Sequence, residues 1–166
     1  MNKKLLLAGL SIFLLLVLAG CGNKPRNVAP VVGSQAPDFS GTTIDGKAVT
    51  LKDLEGKKAI LCFWWDESPA ATRELTTLNE FKAEQGSTVE VLTINAGDDQ
   101  LKVDTLFKEK KYSLPVILDD KKMIISKLYR IDIMPTTFVL DKQGVILKKF
   151  TGGTEKSELI SALENK

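Results

Sequence analysis

The stretch Ala59-Ile60-Leu61-Cys62-Phe63-Trp64-Trp65-Asp66-Glu67-Ser68-Pro69-Ala70-Ala71 passes directly from a continuous apolar run into a helix-start signal. Ala59 to Trp65 has no charge and ends in an aromatic pair, which suits a central strand buried on both faces. Ser68 is a favoured N-cap and Pro69 is favoured at the first helical position, so a helix is predicted to open there. Leu75, Leu78 and Phe81, with Thr72 and Asn79 beside them, give that helix one apolar stripe ending near Gly86.

Upstream, Ile44-Asp45-Gly46-Lys47 is a turn signal between two short extended pieces, and Thr50 to Leu54 closes toward Gly56. Downstream, Val89 to Asn95 alternates and reads as a strand. Asp98 to Lys111 reads as a helix with Leu101, Val103, Leu106 and Phe107 at helical spacing, and Asp98 as its N-cap. A short strand at Val116 to Leu118, a short helix at Met123 to Tyr129, strands at Thr136 to Leu140 and Val145 to Phe150, and a last helix from Thr154 to Leu163 complete the pattern. Strand and helix in this order predict an α/β fold, a mixed central β-sheet flanked by helices.

The chain has 166 residues, enough for one ordinary domain, with 43% hydrophobic and 27% charged residues. Lys3 and Lys4 are followed by an apolar run from Leu5 to Ala19. From Leu5 to Gly20 a helix would rise about 24 Å, short of a ~30 Å hydrocarbon core. A basic start, a short apolar stretch and small residues at its end read as a secretory signal over residues 1–20. Without that leader, 21 basic side chains face 21 acidic ones, which makes nucleic acid a poor partner. Gly22 to Pro30 has no apolar periodicity, and residues 21–31 read as a flexible tether. Histidine is absent, which excludes Ser-His and Cys-His dyads and histidine metal sites. Two cysteines, Cys21 and Cys62, cannot build a structural zinc site alone, and no metal or cofactor is expected.

Leu18-Ala19-Gly20-Cys21 resembles the lipobox of bacterial lipoproteins. That likeness implies lipidation at Cys21 and a membrane anchor outside the cytoplasm, since two acyl chains suffice for stable attachment. From Val32 to the C-terminus the chain resembles thioredoxin-fold proteins of the TlpA/ResA type, which are extracytoplasmic thiol–disulfide oxidoreductases. Val32-Gly33-Ser34-Gln35-Ala36-Pro37-Asp38-Phe39 is similar to their opening segment and Leu61-Cys62-Phe63-Trp64 to the strand before their active site. Met134-Pro135-Thr136-Thr137-Phe138-Val139-Leu140-Asp141, with Gly144 after it, is similar to their cis-proline segment. The resemblance implies a thioredoxin-like domain over residues 32–166 and a cis bond before Pro135.

The family's Cys-x-x-Cys motif should stand at the mouth of the first helix, where this chain has Ser68-Pro69-Ala70-Ala71. Exchange needs a thiolate, and a serine hydroxyl is not ionised near neutrality. Peroxiredoxin relatives carry their cysteine after a Thr-Pro-x pattern, and Ala71 stands at that position too. The site is therefore read as degenerate at Ser68 and Ala71, with no catalytic residue assigned. Its expected role is a binding cleft of Trp65, Glu67, Ser68, Pro69, Asp98, Met134 and Pro135 for an extracytoplasmic protein, peptide or small ligand. Trp64 is assigned to the core, and Trp65 to either core or surface. The rival reading is a thiol oxidoreductase or peroxiredoxin-like enzyme that uses Cys62 or a partner's cysteine; a buried strand cysteine instead behaves as a small hydrophobe.

Overall fold

A computed structural model describes residues 27–65, 68–119 and 121–164. Cys21, the leader and residues 21–26 of the expected tether lie outside the described residues, as do Asp66 and Glu67. Strands β1 (Ser40–Thr42) and β2 (Ala48–Thr50) form an antiparallel hairpin. Its turn needs the positive φ of 87° that Gly46 adopts without steric cost. A 3-10 turn at Leu51–Leu54 leads into β3 (Lys58–Trp64), then α1 (Pro69–Gln85), β4 (Val89–Ala96), α2 (Gln100–Lys110) and β5 (Val116–Asp119). The short helix α3 (Ile124–Leu128), strands β6 (Thr136–Leu140) and β7 (Ile146–Thr151), and α4 (Lys156–Glu164) follow. The five-stranded sheet runs β5-β4-β3-β6-β7. In it β3, β4 and β5 are mutually parallel, and β6 and β7 are antiparallel to their neighbours.

The predicted mixed sheet flanked by helices is present, and β3 is its middle strand. The side chains of β3 alternate between two apolar layers. Ile60, Cys62 and Trp64 pack with Ala71, Leu75, Leu78 and Phe81 of α1, Val103 and Phe107 of α2, and Leu159 of α4. Ala59, Leu61 and Phe63 pack with Phe39, Val49, Ile125 and Tyr129 on the other face. On that second face the rings of Phe63, Tyr129 and Phe138 meet with centroids 4.9–5.9 Å apart, a spacing that adds ring–ring attraction to burial.

Three expectations for β4 and α2 change. Val89 to Asn95 does not alternate between core and solvent, because β4 lies between β3 and β5 and is covered on both faces; only Glu90 is half-buried. Leu101 is 76% exposed, since α2 turns Val103, Leu106 and Phe107 inward and leaves it on the opposite side. The N-cap of α2 is Asp99, whose side chain accepts from the Lys102 backbone N–H at 2.9 Å, and not Asp98.

Residues 27–31, assigned from sequence to the tether, are fastened to the domain. The backbone N–H of Ala29 donates to the carbonyl of Gln35 at 3.0 Å, and Gln35 N–H donates to Asn27 at 2.9 Å. Gly33 N–H and the Ser34 carbonyl then bond both sides of Ile146 at the start of β7, at 2.8 and 2.9 Å.

The buried Tyr129 hydroxyl donates to the Pro37 carbonyl at 2.8 Å and ties this N-terminal segment to the apolar layer of Phe39, Phe63 and Phe138. Tyr129→Phe keeps the ring and leaves that carbonyl without its partner. The expected loss is about 1–3 kcal/mol of unfolding free energy in urea titrations.

Candidate functional site

Helix α1 begins where β3 ends, so the strand delivers its N-terminus to one end of the sheet. Ser68 is half-buried and extended (φ −63°, ψ 149°), and its Oγ accepts from the Ala71 backbone N–H at 3.2 Å. Pro69 is exposed at the first helical position, while Ala71 is only 1% exposed and packs into the core below. Ser68 and Ala71 therefore form the first turn of α1 as expected, one at its mouth and one sealed beneath it.

Strand register gathers Trp65, Asp98, Met134 and Pro135 at the same end. Phe63 is opposite Thr136, which sets the cis Met134-Pro135 bond beside the end of β3. Trp64 is opposite Asn95, from which the chain turns through Asp98 into α2. Trp65 resolves to the surface at 57% exposure, and Ile133 matches it at 57% on the proline loop. Trp64 is buried and stacked on Phe107, 5.9 Å between centroids.

Asp98 holds the turn that follows β4. One carboxylate oxygen pairs with Lys102 Nζ at 2.9 Å and the other accepts from Asn95 Nδ2 at 2.8 Å, with the Asp98 side chain 7% exposed. Asn95 Oδ1 in return accepts from the Asp98 backbone N–H at 3.0 Å. Asp98 thus fixes the rim of the mouth, and its carboxylate is engaged within that rim.

Beneath the mouth lies a group that the sequence reading missed. Glu74 is 1% exposed and joins three elements. Its Oε1 accepts from the Thr137 hydroxyl of β6 at 2.5 Å, and its Oε2 from the Thr154 backbone N–H before α4 at 2.6 Å. Gly153 passes directly over it with φ 118°, a conformation that favours glycine. The available signal is position: Glu74 falls on the buried stripe of α1 between Ala71 and Leu78. Burial pushes the Glu74 carboxyl above its usual range, and the hydrogen bonds from Thr137 and Thr154 pull the other way.

Cys62 pairs with Thr137 across β3 and β6 and is fully buried on the α1 side of the sheet. Burial pushes its thiol far up, the nearby Glu74 carboxylate adds to that, and a hydrogen bond with Thr137 opposes both. A thiol so placed packs as a small buried hydrophobe. Among the described residues no group of three or more metal-ligating side chains converges.

The AhpC/TSA family model matches residues 32–149. Over an alignment of 172 positions the chain is 31% identical to "Thiol-disulfide oxidoreductase ResA" of Geobacillus thermodenitrificans, covering 99% of this chain and 98% of that protein. StoA from Bacillus subtilis superposes with a TM-score of 0.66 at 28% identity, covering 76% of this chain and 96% of StoA. The exposed lipoprotein thioredoxin Etrx1 from Streptococcus pneumoniae superposes with a TM-score of 0.68 at 28% identity, covering 77% of this chain and 98% of Etrx1.

The unfolded chain ionises Glu74 near its ordinary 4.5, whereas the folded chain holds the proton to higher pH. The folded state then binds more protons above 4.5, so this group's contribution to stability falls as pH rises. Glu74→Gln cannot ionise and is expected to lose less stability than wild type as pH is raised from 4.5, measured by urea denaturation at each pH. Parallel curves for the two proteins would show that folding leaves the proton affinity of Glu74 unchanged.

Proposed function

The chain belongs to the AhpC/TSA family, and we propose that it serves there as a redox-inactive, thioredoxin-like binding module held outside the cytoplasmic membrane by a lipid on Cys21. The observation that carries this reading is the chemistry of the α1 mouth. Ser68 Oγ accepts the Ala71 N–H, the backbone donor that would otherwise stabilise an anion there. Ala71 offers only a methyl group to the core, and Cys62 lies sealed inside the sheet. Disulfide exchange requires an accessible thiolate, and serine has no histidine in this chain to activate it.

The recognition surface of this module is the end of the sheet where Trp65, Ser68, Pro69, Met134 and Pro135 meet, with Asp98 fixing the rim. Trp65 supplies an exposed aromatic of the kind that anchors protein contacts. The proline loop supplies backbone groups for an extended segment, a mode of recognition that needs no thiol. The partner is an extracytoplasmic protein or peptide. The lipobox-like Leu18-Ala19-Gly20-Cys21 supports the anchor, as does likeness to a neighbour that is itself an exposed lipoprotein.

Wild-type protein is expected to leave insulin unreduced above the dithiothreitol background and to react slowly with Ellman's reagent until it is denatured. Ser68→Cys/Ala71→Cys places two thiols in the first turn of α1, the outer one lowered in pKa by the helix N-terminus. That double variant should form an internal disulfide and gain insulin reduction, and neither single variant should form the bond. Wild-type activity lost on changing Cys62 would sink the binding-module reading.

A further inference from the structure

Eight large hydrophobic residues are exposed among the described residues, and three of them fall within five positions: Val28 at 59%, Val31 at 47% and Val32 at 57%. They stand on the loop that the Ala29, Gly33, Gln35 and Ile146 backbone bonds hold against the start of β7. Asn27 Nδ2 also donates to Ser34 Oγ across the loop at 3.3 Å. The exposed valines are thus held out by a hydrogen-bonded scaffold. No charged residue occurs from Asn27 to Pro37, although 27% of the chain is charged.

The position of this loop in the sheet gives the patch its meaning. Ile146 is opposite Leu140, and Leu140 is opposite Ala59 near the beginning of β3. Trp64, Trp65 and the α1 mouth are at the other end of that strand. Seven residues of strand separate the two ends by about 20 Å. The valines and the mouth therefore occupy opposite ends of the sheet.

Cys21 precedes Asn27 by six residues, a reach of at most about 20 Å. Lys24 and Arg26 stand between them, and their charge suits anionic headgroups. We propose that Val28, Val31 and Val32 form a foot that rests in the bilayer beside the Cys21 lipid and points the α1 mouth away from the membrane. This inference rests on the anchored reading above. The occupant is the lipid surface, because a lipid on Cys21 keeps the apolar tip within one short tether of it. The same tether would hold the valines against lipid whether or not a protein partner occupies the far end.

The test uses full-length protein taken from membranes and reconstituted in phosphatidylethanolamine/phosphatidylglycerol vesicles containing nitroxide-labelled lipid. Val32→Cys, and separately Leu101→Cys at the mouth end, carry an environment-sensitive nitrobenzoxadiazole label; Cys62 is buried. The label at position 32 should emit further to the blue and be quenched several-fold more by the nitroxide lipid than the label at 101. Equal, weak quenching at both positions in vesicles that float with the protein would overturn the foot and leave the anchor standing. Failure to float, with no fatty-acid label lost in Cys21→Ala, would overturn the anchor and the foot together. A blue shift that persists in detergent and grows with protein concentration would assign the valines to a second copy of the chain and also overturn the foot.

Discussion

Ala59 through Trp64 are all shielded from solvent, and a strand sealed on both faces exists only where a layer stands on each of them. That constraint organises the molecule. It requires β4 and β6 as hydrogen-bonding neighbours, since the backbone groups of β3 have no water to turn to. It also requires α1, α2 and α4 over Ile60, Cys62 and Trp64, and the Phe63–Tyr129–Phe138 cluster on the reverse face. The site follows from the same constraint, because whatever comes after Trp64 emerges at the sheet end between the β4–α2 turn and the proline loop.

At that emergence the chain carries Ser68-Pro69-Ala70-Ala71 across the start of α1. A helix N-terminus stabilises a negative or partly negative group placed against its N–H bonds. Ser68 uses that property structurally, accepting the Ala71 N–H and closing the first turn. Ala71 fills a buried position with a methyl group and completes the apolar layer beneath the mouth. Both residues therefore serve the fold, one as a cap and the other as core packing.

Glu74 is the costly element of this arrangement. A buried carboxyl is retained only if its oxygens find donors, and Thr137 and the Thr154 backbone supply them. The result is a polar tie between α1, β6 and the entry to α4 directly beneath the mouth, next to the Cys62 thiol that it helps to keep protonated. The proline loop continues directly into β6, so the tie also sets its position relative to α1.

Local physics was enough for the elements that local physics controls. The uncharged Ala59–Trp65 run, the Ser68-Pro69 start and the Gly86 stop specify β3 and α1 because strand burial and helix capping depend on neighbours in sequence. The cis bond of the Met134-Pro135 segment was legible by likeness to a known family. What lay beyond the sequence depends on partners distant along the chain. Asp98 and Asp99 are equal as caps until the Asn95 and Lys102 contacts separate them. Leu101 looks apolar and inward until the packing of α2 turns it out. Glu74 becomes a tie only when Thr137 and Thr154, 63 and 80 residues away, are brought against it. Sequence alone determined the order of strands and helices and the cap of α1; tertiary structure decided which faces and which polar groups would be buried, because burial is a property of the layers that enclose a residue.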